Sequence, residues 1–123
     1  RQHKRKEYKI MSQLNHPNVL KLHEVVVTEK AINLVLEYAA GGDLANYIAT
    51  RGRLPPKEAW RIFRQLVNAV AYLHDRHIAH RDLKPENIFL NANNNVLLGD
   101  FGLACRWRKG ANKTKVCGSF GYM

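Results

Sequence analysis

The residues best suited to chemistry lie in one short stretch and in a triplet that follows it. The stretch His80-Arg81-Asp82-Leu83-Lys84-Pro85-Glu86-Asn87 carries an acid, a cation and an amide, and the triplet Asp100-Phe101-Gly102 adds a second acid. An acid, a cation and two oxygen-bearing side chains around short strands are the layout required to transfer the terminal phosphoryl group of a nucleotide. The pattern therefore predicts a phosphoryl-transfer site.

The elements that must position these residues follow from the apolar pattern and the turn formers. Residues 4–14 have helical spacing, and His16-Pro17 ends the helix because a proline disfavours helical geometry in the residue before it. Residues 20–27 and 31–36 are predicted as strands. Asp43 can cap a short helix that runs to Ile48. We thus expect a helix, two strands and a short helix before the motif.

The clearest helix begins after Pro55-Pro56, where a proline suits the first turn. Its apolar stripe recurs at steps of three and four residues and consists of Ala59, Ile62, Phe63, Leu66, Val70 and Leu73. Residues 88–90 and 96–98 are predicted as short strands joined by the asparagine-rich turn 91–95. The predicted hairpin lies between the two parts of the motif, and the fold class is α+β.

This motif and this order of elements resemble the middle of a eukaryotic protein kinase of the serine/threonine type. Residues 83–87, 100–104 and 117–119 are most similar to the calcium/calmodulin-dependent and AMP-activated kinase group. The resemblance implies a partial, bilobal, protein-kinase-like fold within the α+β class. Residues 1–36 would form a small-lobe helix and strands, residues 37–40 the hinge, and residues 41–123 the large-lobe helices, catalytic loop and activation segment.

The resemblance implies a role for each polar residue of the motif, with ATP and Mg²⁺ as cofactors. Asp82 would act as the catalytic base, and Lys84 would hold the transferring phosphoryl group by its charge. Asn87 and Asp100 would bind magnesium, which prefers hard oxygen ligands. A non-catalytic kinase-like interaction module, which keeps these residues only for folding, is the alternative.

The same resemblance implies a nucleotide site outside the motif. Glu7 matches the helix-borne glutamate that pairs with a strand lysine. Leu36 would be the gatekeeper of the pocket, the backbones of Glu37 and Ala39 would bind adenine, and Phe89 would pack beneath the base.

Two acidic positions imply a substrate preference. Asp43 lies where an acidic residue contacts ribose or a basic substrate side chain. Glu86 is assigned to the nucleotide site as well, and together with Asp43 it predicts a protein substrate with Arg or Lys before the target residue.

Three further residues are expected to have regulatory or structural roles by resemblance. Arg81 would pair with a phosphate on the activation loop, and Thr114 is the candidate acceptor of that phosphate. Ser119 would brace the catalytic loop.

A spine that joins the two lobes is also implied. It would consist of Met11, Leu22, His80 and Phe101. A zinc site formed by His74, His77 and His80 is the rival explanation for His80, because these residues recur at steps of three.

The bulk composition narrows the list of partners. The chain has 20 Lys+Arg against 10 Asp+Glu, a formal charge of +10. A basic nucleic-acid-binding protein is therefore a third hypothesis, but no aromatic ladder accompanies the charge, and we expect no nucleic-acid partner.

No apolar run is long enough to span a membrane. Two cysteines are too few for a disulfide framework and predict reduced thiols in an intracellular protein, cytoplasmic or nuclear. Nothing in the sequence indicates an oligomeric state.

A complete kinase domain would contain parts that this sequence does not show. Neither a Gly-rich loop nor a strand lysine precedes Glu7, and no Ala-Pro-Glu motif follows Tyr122-Met123. We therefore expect the chain to be a fragment of a longer kinase. We also expect it to be inactive and poorly stable by itself, because its long helix would expose apolar surface.

Overall fold

A computed structural model of the protein describes residues 2–107. Three α-helices and seven strands, several of them very short, alternate along these residues. The helices are α1 (Gln2–Met11), α2 (Leu44–Arg51) and α3 (Pro56–Asp75), with a 3₁₀ turn at Pro85–Asn87. The strands are β1 (Leu22–Val27), β2 (Ile32–Leu36), β3 (Gly42–Asp43), β4 (Ile78–Ala79), β5 (Ile88–Leu90), β6 (Val96–Leu98) and β7 (Cys105–Arg106). Helices mixed with small antiparallel sheets confirm the α+β prediction.

Helix α1 ends earlier than the sequence pattern predicted. It stops at Met11, whereas the apolar spacing extended to residue 14. The amides of Gln13 and Leu14 bond to Ile10 and Met11, three residues back, so the chain tightens into a 3₁₀-like turn. Apolar spacing cannot distinguish this turn from a last helical turn, because the side chains continue on the same face.

Helix α3 buries only part of its apolar stripe. Ile62, Ala69 and Leu73 are buried in the core, but Trp60 and Phe63 are 60% and 55% exposed. The exposed side forms an apolar groove lined by Phe63, Leu66, Val67, Val70, Ala71, His74 and Leu83. The described part of the chain therefore exposes apolar area along this helix, as the sequence predicted.

The hairpin that separates the two parts of the motif has the predicted strands. Strand β5 pairs antiparallel with β6, in the register Ile88↔Leu98 to Leu90↔Val96. In the turn, the Asn91 side-chain oxygen accepts the amides of Asn93 and Asn95, and Asn94 has a φ of 60°. Asparagine tolerates this left-handed conformation, which explains the composition of the turn.

Three short strands were not predicted from the sequence. Strand β3 pairs with β5, and β4 pairs with β7, each over two residues. Two residues contain no alternation for a sequence pattern to reveal. These pairings matter, because β3 places Asp43 beside the hairpin and β7 holds the segment after Asp100-Phe101-Gly102.

One buried asparagine joins the first part of the chain to the hairpin. The Asn18 amide side chain donates to the Val96 carbonyl at 2.9 Å, and the Asn18 carbonyl accepts the Leu98 amide at 2.8 Å. Val19 forms a parallel bridge with Leu98, and the Leu20 amide donates to the Leu98 carbonyl. Since one apolar core also contains residues of α1, α3, β5 and β6, these elements form a single packed unit around the motif.

Two further observations concern the bulk predictions. Cys105 is buried and disulfide-bonded, so the reduced thiol expected at this position is wrong. A cysteine count argues against a framework of several disulfides, but it does not exclude one bond. Within residues 2–107, no helix has both the length and the apolar character needed to cross a membrane.

Candidate active site

Asp82 and Asn87 form the centre of the site. The Asn87 side-chain amide donates to the Asp82 carboxylate oxygen Oδ2 at 2.7 Å and to the Asp82 carbonyl at 2.9 Å. Asn87 is buried at the end of the 3₁₀ turn, where its backbone N–H donates to the Lys84 carbonyl. These bonds fix the orientation of the Asp82 carboxylate and direct the Asn87 oxygen Oδ1 away from Asp82.

His80 connects the catalytic loop to the strand end that carries Asp100. Its Nδ1 accepts the Asp82 amide at 3.2 Å, so Nε2 carries the proton that it donates to the Gly99 carbonyl at 2.7 Å. The ring is 3% exposed. Burial lowers the pKa of His80, with smaller opposing effects from the Gly99 bond and the charges of Asp100 and Asp82. His80 is therefore a neutral side chain that positions the backbone on both sides of the site.

Lys84 lies above the Asp82 carboxylate. Its Nζ is 3.8 Å from Asp82 Oδ1, and the side chain is 53% exposed. An ion pair this exposed adds little to stability. The exposed cation is thus available to bind an anion near the Asp82 carboxylate. Glu86 is exposed on the neighbouring 3₁₀ turn.

Asp100 offers a carboxylate that the fold leaves accessible. Its Oδ1 accepts the Gly102 amide at 3.3 Å, while no hydrogen bond in the part of the chain described uses Oδ2. The same holds within residues 2–107 for the Asn87 oxygen Oδ1. Two hard oxygen donors fit Mg²⁺, which takes few protein ligands and keeps waters and phosphate oxygens. No group of three His, Cys, Asp or Glu capable of holding a metal occurs among the described residues.

Glu7 reaches the same region from helix α1. Its carboxylate is half-buried and close enough to Asp100 and to the Phe101 amide for both to affect its pKa. Burial raises the pKa of Glu7, while Lys4 and the Phe101 amide lower it and the charge of Asp100 raises it further. The structure therefore places Glu7 near Asp100 and Phe101, and its role at the nucleotide phosphates stays a prediction.

The four predicted spine residues lie together at the centre of the fold. Phe101 is buried and its ring meets His80 edge-on, with 5.1 Å between centroids. Met11 and Phe101 belong to one buried cluster, and Leu22 packs against it. The zinc alternative has no support in these contacts, because both ring nitrogens of His80 are engaged.

Two residues of the predicted hinge, Glu37 and Ala39, each use one of their two backbone polar groups in a hydrogen bond. The Glu37 amide donates to the Lys21 carbonyl, and the Ala39 carbonyl accepts the Gly42 amide. Over residues 2–107, no hydrogen bond uses the Glu37 carbonyl or the Ala39 amide. One acceptor and one donor are therefore left for a ligand. Leu36, at the end of β2, is 36% exposed.

Two residues at the edge of the hairpin complete the predicted nucleotide site. Phe89 is half-buried in the middle of β5 and pairs with Asp43 of β3. Asp43 caps helix α2, since its Oδ1 accepts the Asn46 amide at 2.7 Å. The capping role predicted for Asp43 is confirmed, and only its other oxygen is left for a ligand.

Arg81 contacts the segment that follows the triplet. Its Nε donates to the Leu103 carbonyl at 2.7 Å. Arg81 and Asp100 have φ values of 68° and 53°, a conformation that costs a residue other than glycine about 1–3 kcal/mol. Such strain is typical of functional sites. Thr114 and Ser119 lie outside the described residues.

The side chains that support the hairpin from α3 were not predicted from the sequence. Gln65 accepts the Val96 amide at 2.7 Å and donates to the Asn95 side chain, while Arg61 donates to Asn95 and to the Asn94 carbonyl. Polar residues on an amphipathic helix are normally assigned to its solvated face. Their spacing of four residues on one face was the only signal in the sequence.

Comparison with known proteins gives a consistent family. The protein kinase domain family matches residues 1–123. The proteins named NUAK family SNF1-like kinase 2 from Homo sapiens and Pongo abelii are each 47% identical to this chain over 117 residues. The Rattus norvegicus protein of the same name has the same identity over the same length. Each alignment covers 95% of this chain and 19% of the relative, so the chain spans about a fifth of these relatives' length.

Proposed function

The chain belongs to the protein kinase domain family and is by family a serine/threonine kinase, and we propose that its parent protein transfers the terminal phosphoryl group of ATP to protein hydroxyls. The observation that carries this proposal is the bond between Asn87 and Asp82 beside Lys84. These contacts bring together the carboxylate proposed as base, an amide proposed as metal ligand and a cation.

Asp82 is the proposed catalytic base. Asn87 holds Oδ2 of its carboxylate, which leaves Oδ1 to accept the proton of the attacking serine or threonine hydroxyl. Lys84, close to that oxygen, neutralises charge on the phosphoryl group during transfer. General-base catalysis of this kind contributes a factor of about 10²–10⁴.

Asn87 and Asp100 are the proposed magnesium ligands. Bound Mg²⁺ would neutralise the charge that develops on the phosphate oxygens. The oxygen atoms left without partners on these two side chains, within residues 2–107, are the donors for it. His80 keeps the two ligands in register, because it bonds both the Asp82 amide and the Gly99 carbonyl.

The base of ATP is proposed to bind between the hinge and the hairpin. The Glu37 carbonyl and the Ala39 amide supply its hydrogen bonds, Leu36 limits the depth of the pocket, and Phe89 packs beneath it. In this assignment residues 1–36 contribute the small-lobe part, residues 37–40 the hinge, and residues 41–123 the large-lobe part. Glu7 is proposed to lie near the nucleotide phosphates, since it approaches Asp100 from helix α1.

The protein substrate is proposed to carry basic residues before its target residue. Glu86 is exposed next to Lys84, and Asp43 lies on β3, which contacts the same 3₁₀ turn. Two carboxylates near the base would attract Arg or Lys side chains. We further propose that Arg81 pairs with phosphate on Thr114 and that Ser119 braces the catalytic loop.

The test is magnesium-dependent phosphorylation by the full-length protein. We expect it to phosphorylate a serine peptide with upstream arginines, and Asp82→Asn to lower kcat by about 10²–10⁴. Asp100→Ala should abolish magnesium-dependent ATP binding in calorimetry. The matched control is Asp75→Asn, an exposed aspartate at the end of α3, which should leave both unchanged.

Three outcomes would contradict parts of the proposal. Folded protein that binds no ATP in magnesium would favour the non-catalytic interaction module. Equal rates for the parent protein and the Asp82→Asn variant would remove the proposed base. A peptide without upstream basic residues, phosphorylated as fast as the basic peptide, would remove the proposed substrate preference.

A further inference from the structure

Gly99, directly before the triplet, is held by hydrogen bonds on both sides. Its carbonyl accepts the proton of His80 Nε2 at 2.7 Å, and its amide donates to the Asn87 carbonyl at 3.2 Å. The residue is buried between the catalytic loop and the hairpin. The backbone at position 99 therefore has little freedom to move if glycine is replaced by a larger residue.

The reason for glycine at this position is space. Gly99 is not among the residues with a positive φ, so any L-residue could adopt its backbone conformation. An ideal Cβ on Gly99, however, would lie 2.9 Å from two ring carbons of Phe89 and 3.1 Å from Leu20 Cδ2. Protein interiors do not tolerate such approaches without movement of a neighbour. The Phe89 ring thus occupies the space that a methyl group at position 99 would need.

Phe89 is the neighbour that has somewhere to move. Ile88 and Leu90 are buried on one face of β5, while Phe89 points to the opposite face and is half-buried. Its backbone is fixed by pairing with Leu97 and with Asp43. The chain that leads from the hinge also docks here, since the Gly41 amide donates to the Leu90 carbonyl at 2.8 Å. A side chain at position 99 would push the ring towards the exposed side of β5, where the chain from the hinge docks on the adjacent Leu90.

We propose that Gly99 and Phe89 are a size-matched pair that sets the floor of the base pocket. Gly99 is a specificity-determining residue because its lack of a side chain allows a large aromatic ring to lie flat enough for a purine to stack on it. This inference rests on the proposed function, since it names the nucleotide site as the place where the pairing acts. A phenylalanine floor requires glycine at position 99, whereas a leucine floor would tolerate alanine there.

The test is a double-mutant cycle in the full-length protein with Gly99→Ala, Phe89→Leu and both changes together. We expect Gly99→Ala to weaken binding of magnesium-ATP about tenfold in calorimetry. Phe89→Leu should have a smaller effect, and the double variant should bind within about threefold of the parent. Phe63→Leu, a change at an exposed phenylalanine on α3, serves as the control and should not rescue Gly99→Ala.

Inorganic tripolyphosphate with magnesium separates the base pocket from the phosphate site. Because the proposed pair acts on the base alone, Gly99→Ala should leave tripolyphosphate binding unchanged. Equal losses for ATP and tripolyphosphate would overturn the proposal, since the change would then act through Asp100. If Gly99→Ala does not fold, Phe89→Leu must restore folding, and a double variant that stays unfolded would contradict the pairing.

The thermal midpoints of the same four proteins, measured without nucleotide, distinguish the two failures. If the double change restores stability but the parent protein binds no ATP, the proposed function is refuted, and with it the role of the pair in a base pocket. A parent that binds ATP while its variants combine additively in both affinity and stability would overturn this inference alone.

Discussion

In the catalytic loop, residues 80–87, the polar side chains bond one another and the backbone next to them, whereas in the hinge hairpin, residues 22–40, most side chains face solvent. The loop buries His80 and Asn87, and both make two hydrogen bonds. The hairpin contains the two-stranded sheet of β1 and β2. Val27 in β1 is 59% exposed, and Tyr38, which follows β2, is 84% exposed. Each region nevertheless offers groups to the same proposed nucleotide.

The two regions differ in the groups that they offer to the nucleotide: the catalytic loop offers side chains, and the hinge offers its backbone. The loop supplies carboxylate, amide and ammonium groups, so its geometry depends on which side chains are present. The hinge supplies the Glu37 carbonyl and the Ala39 amide, and neither group depends on the identity of a side chain. Side-chain changes should therefore be costly in the catalytic loop and mild in the hinge hairpin.

The largest effect is expected at Asn87. Asn87→Ala removes both bonds to Asp82 and one proposed metal ligand, so the base loses its orientation. A misplacement of about 1 Å can cost about 100-fold in rate, and we expect at least that loss in kcat. The free energy of unfolding should fall by about 1–3 kcal/mol, because a carboxylate and a carbonyl lose their donor.

Asn33→Ala provides the matched change in the hinge hairpin. Asn33 is exposed in β2, and its replacement should alter stability by less than about 0.5 kcal/mol and leave kcat unchanged. Kinase assays and urea unfolding on both variants make the comparison. Similar losses at positions 33 and 87 would refute the contrast between the two regions.

The next effect is a pH dependence of stability caused by His80. Because burial lowers its pKa in the folded state, the unfolded chain takes up the proton first as the pH falls below the ordinary value of 6.5. The stability that the neutral ring provides is present above pH 6.5 and is lost as the pH falls towards the lowered folded pKa. The loss can reach about 1.4 kcal/mol per pH unit.

His80→Phe should flatten this profile. It should also reduce stability at pH 8, because phenylalanine cannot donate to the Gly99 carbonyl. His23→Phe, at an exposed histidine of β1, should keep the parent profile. Urea midpoints between pH 5 and 8 measure both. A parent and a His80→Phe variant with parallel profiles would show that His80 does not cause the pH dependence.

A third effect is expected where α3 supports the catalytic hairpin. Gln65→Ala removes the acceptor of the Val96 amide and the donor to Asn95, and should cost about 1–2 kcal/mol. Gln65→Glu keeps the acceptor and should lose less. Chemical denaturation ranks the parent and the two variants. If Gln65→Glu were as destabilising as Gln65→Ala, the bond to the Val96 amide would not be the important one.

The sequence predicted most of the longer helices and strands, but not the contacts between residues distant in sequence that hold them together. Strands β5 and β6 were found with the observed limits because a polar, asparagine-rich turn separates two apolar runs. Asp82, Asn87 and Asp100 were selected because their residue types and spacing suggest the chemistry themselves; the structure bonds Asn87 to Asp82, and their roles stay predictions. The roles of Gln65 and Gly99 were not found, since they depend on neighbours that are distant in sequence and that only the packed structure brings together. The pairing of β4 with β7 was missed for the same reason.

The last comparison takes two valines with the same chemistry and opposite environments. Val96 is fully buried in β6, whereas Val27 is 59% exposed in β1. Truncation to alanine removes two methyl-sized groups, so Val96→Ala should cost about 1.5–3 kcal/mol, which includes the cavity it leaves. Val27→Ala should cost less than about 0.5 kcal/mol, because the groups it removes already contact water. Equal losses in urea unfolding would mean that Val27 is packed in the full-length protein although it is exposed within residues 2–107. The hinge hairpin would then depend on its side chains, as the catalytic loop does, and the contrast between the two regions would fail.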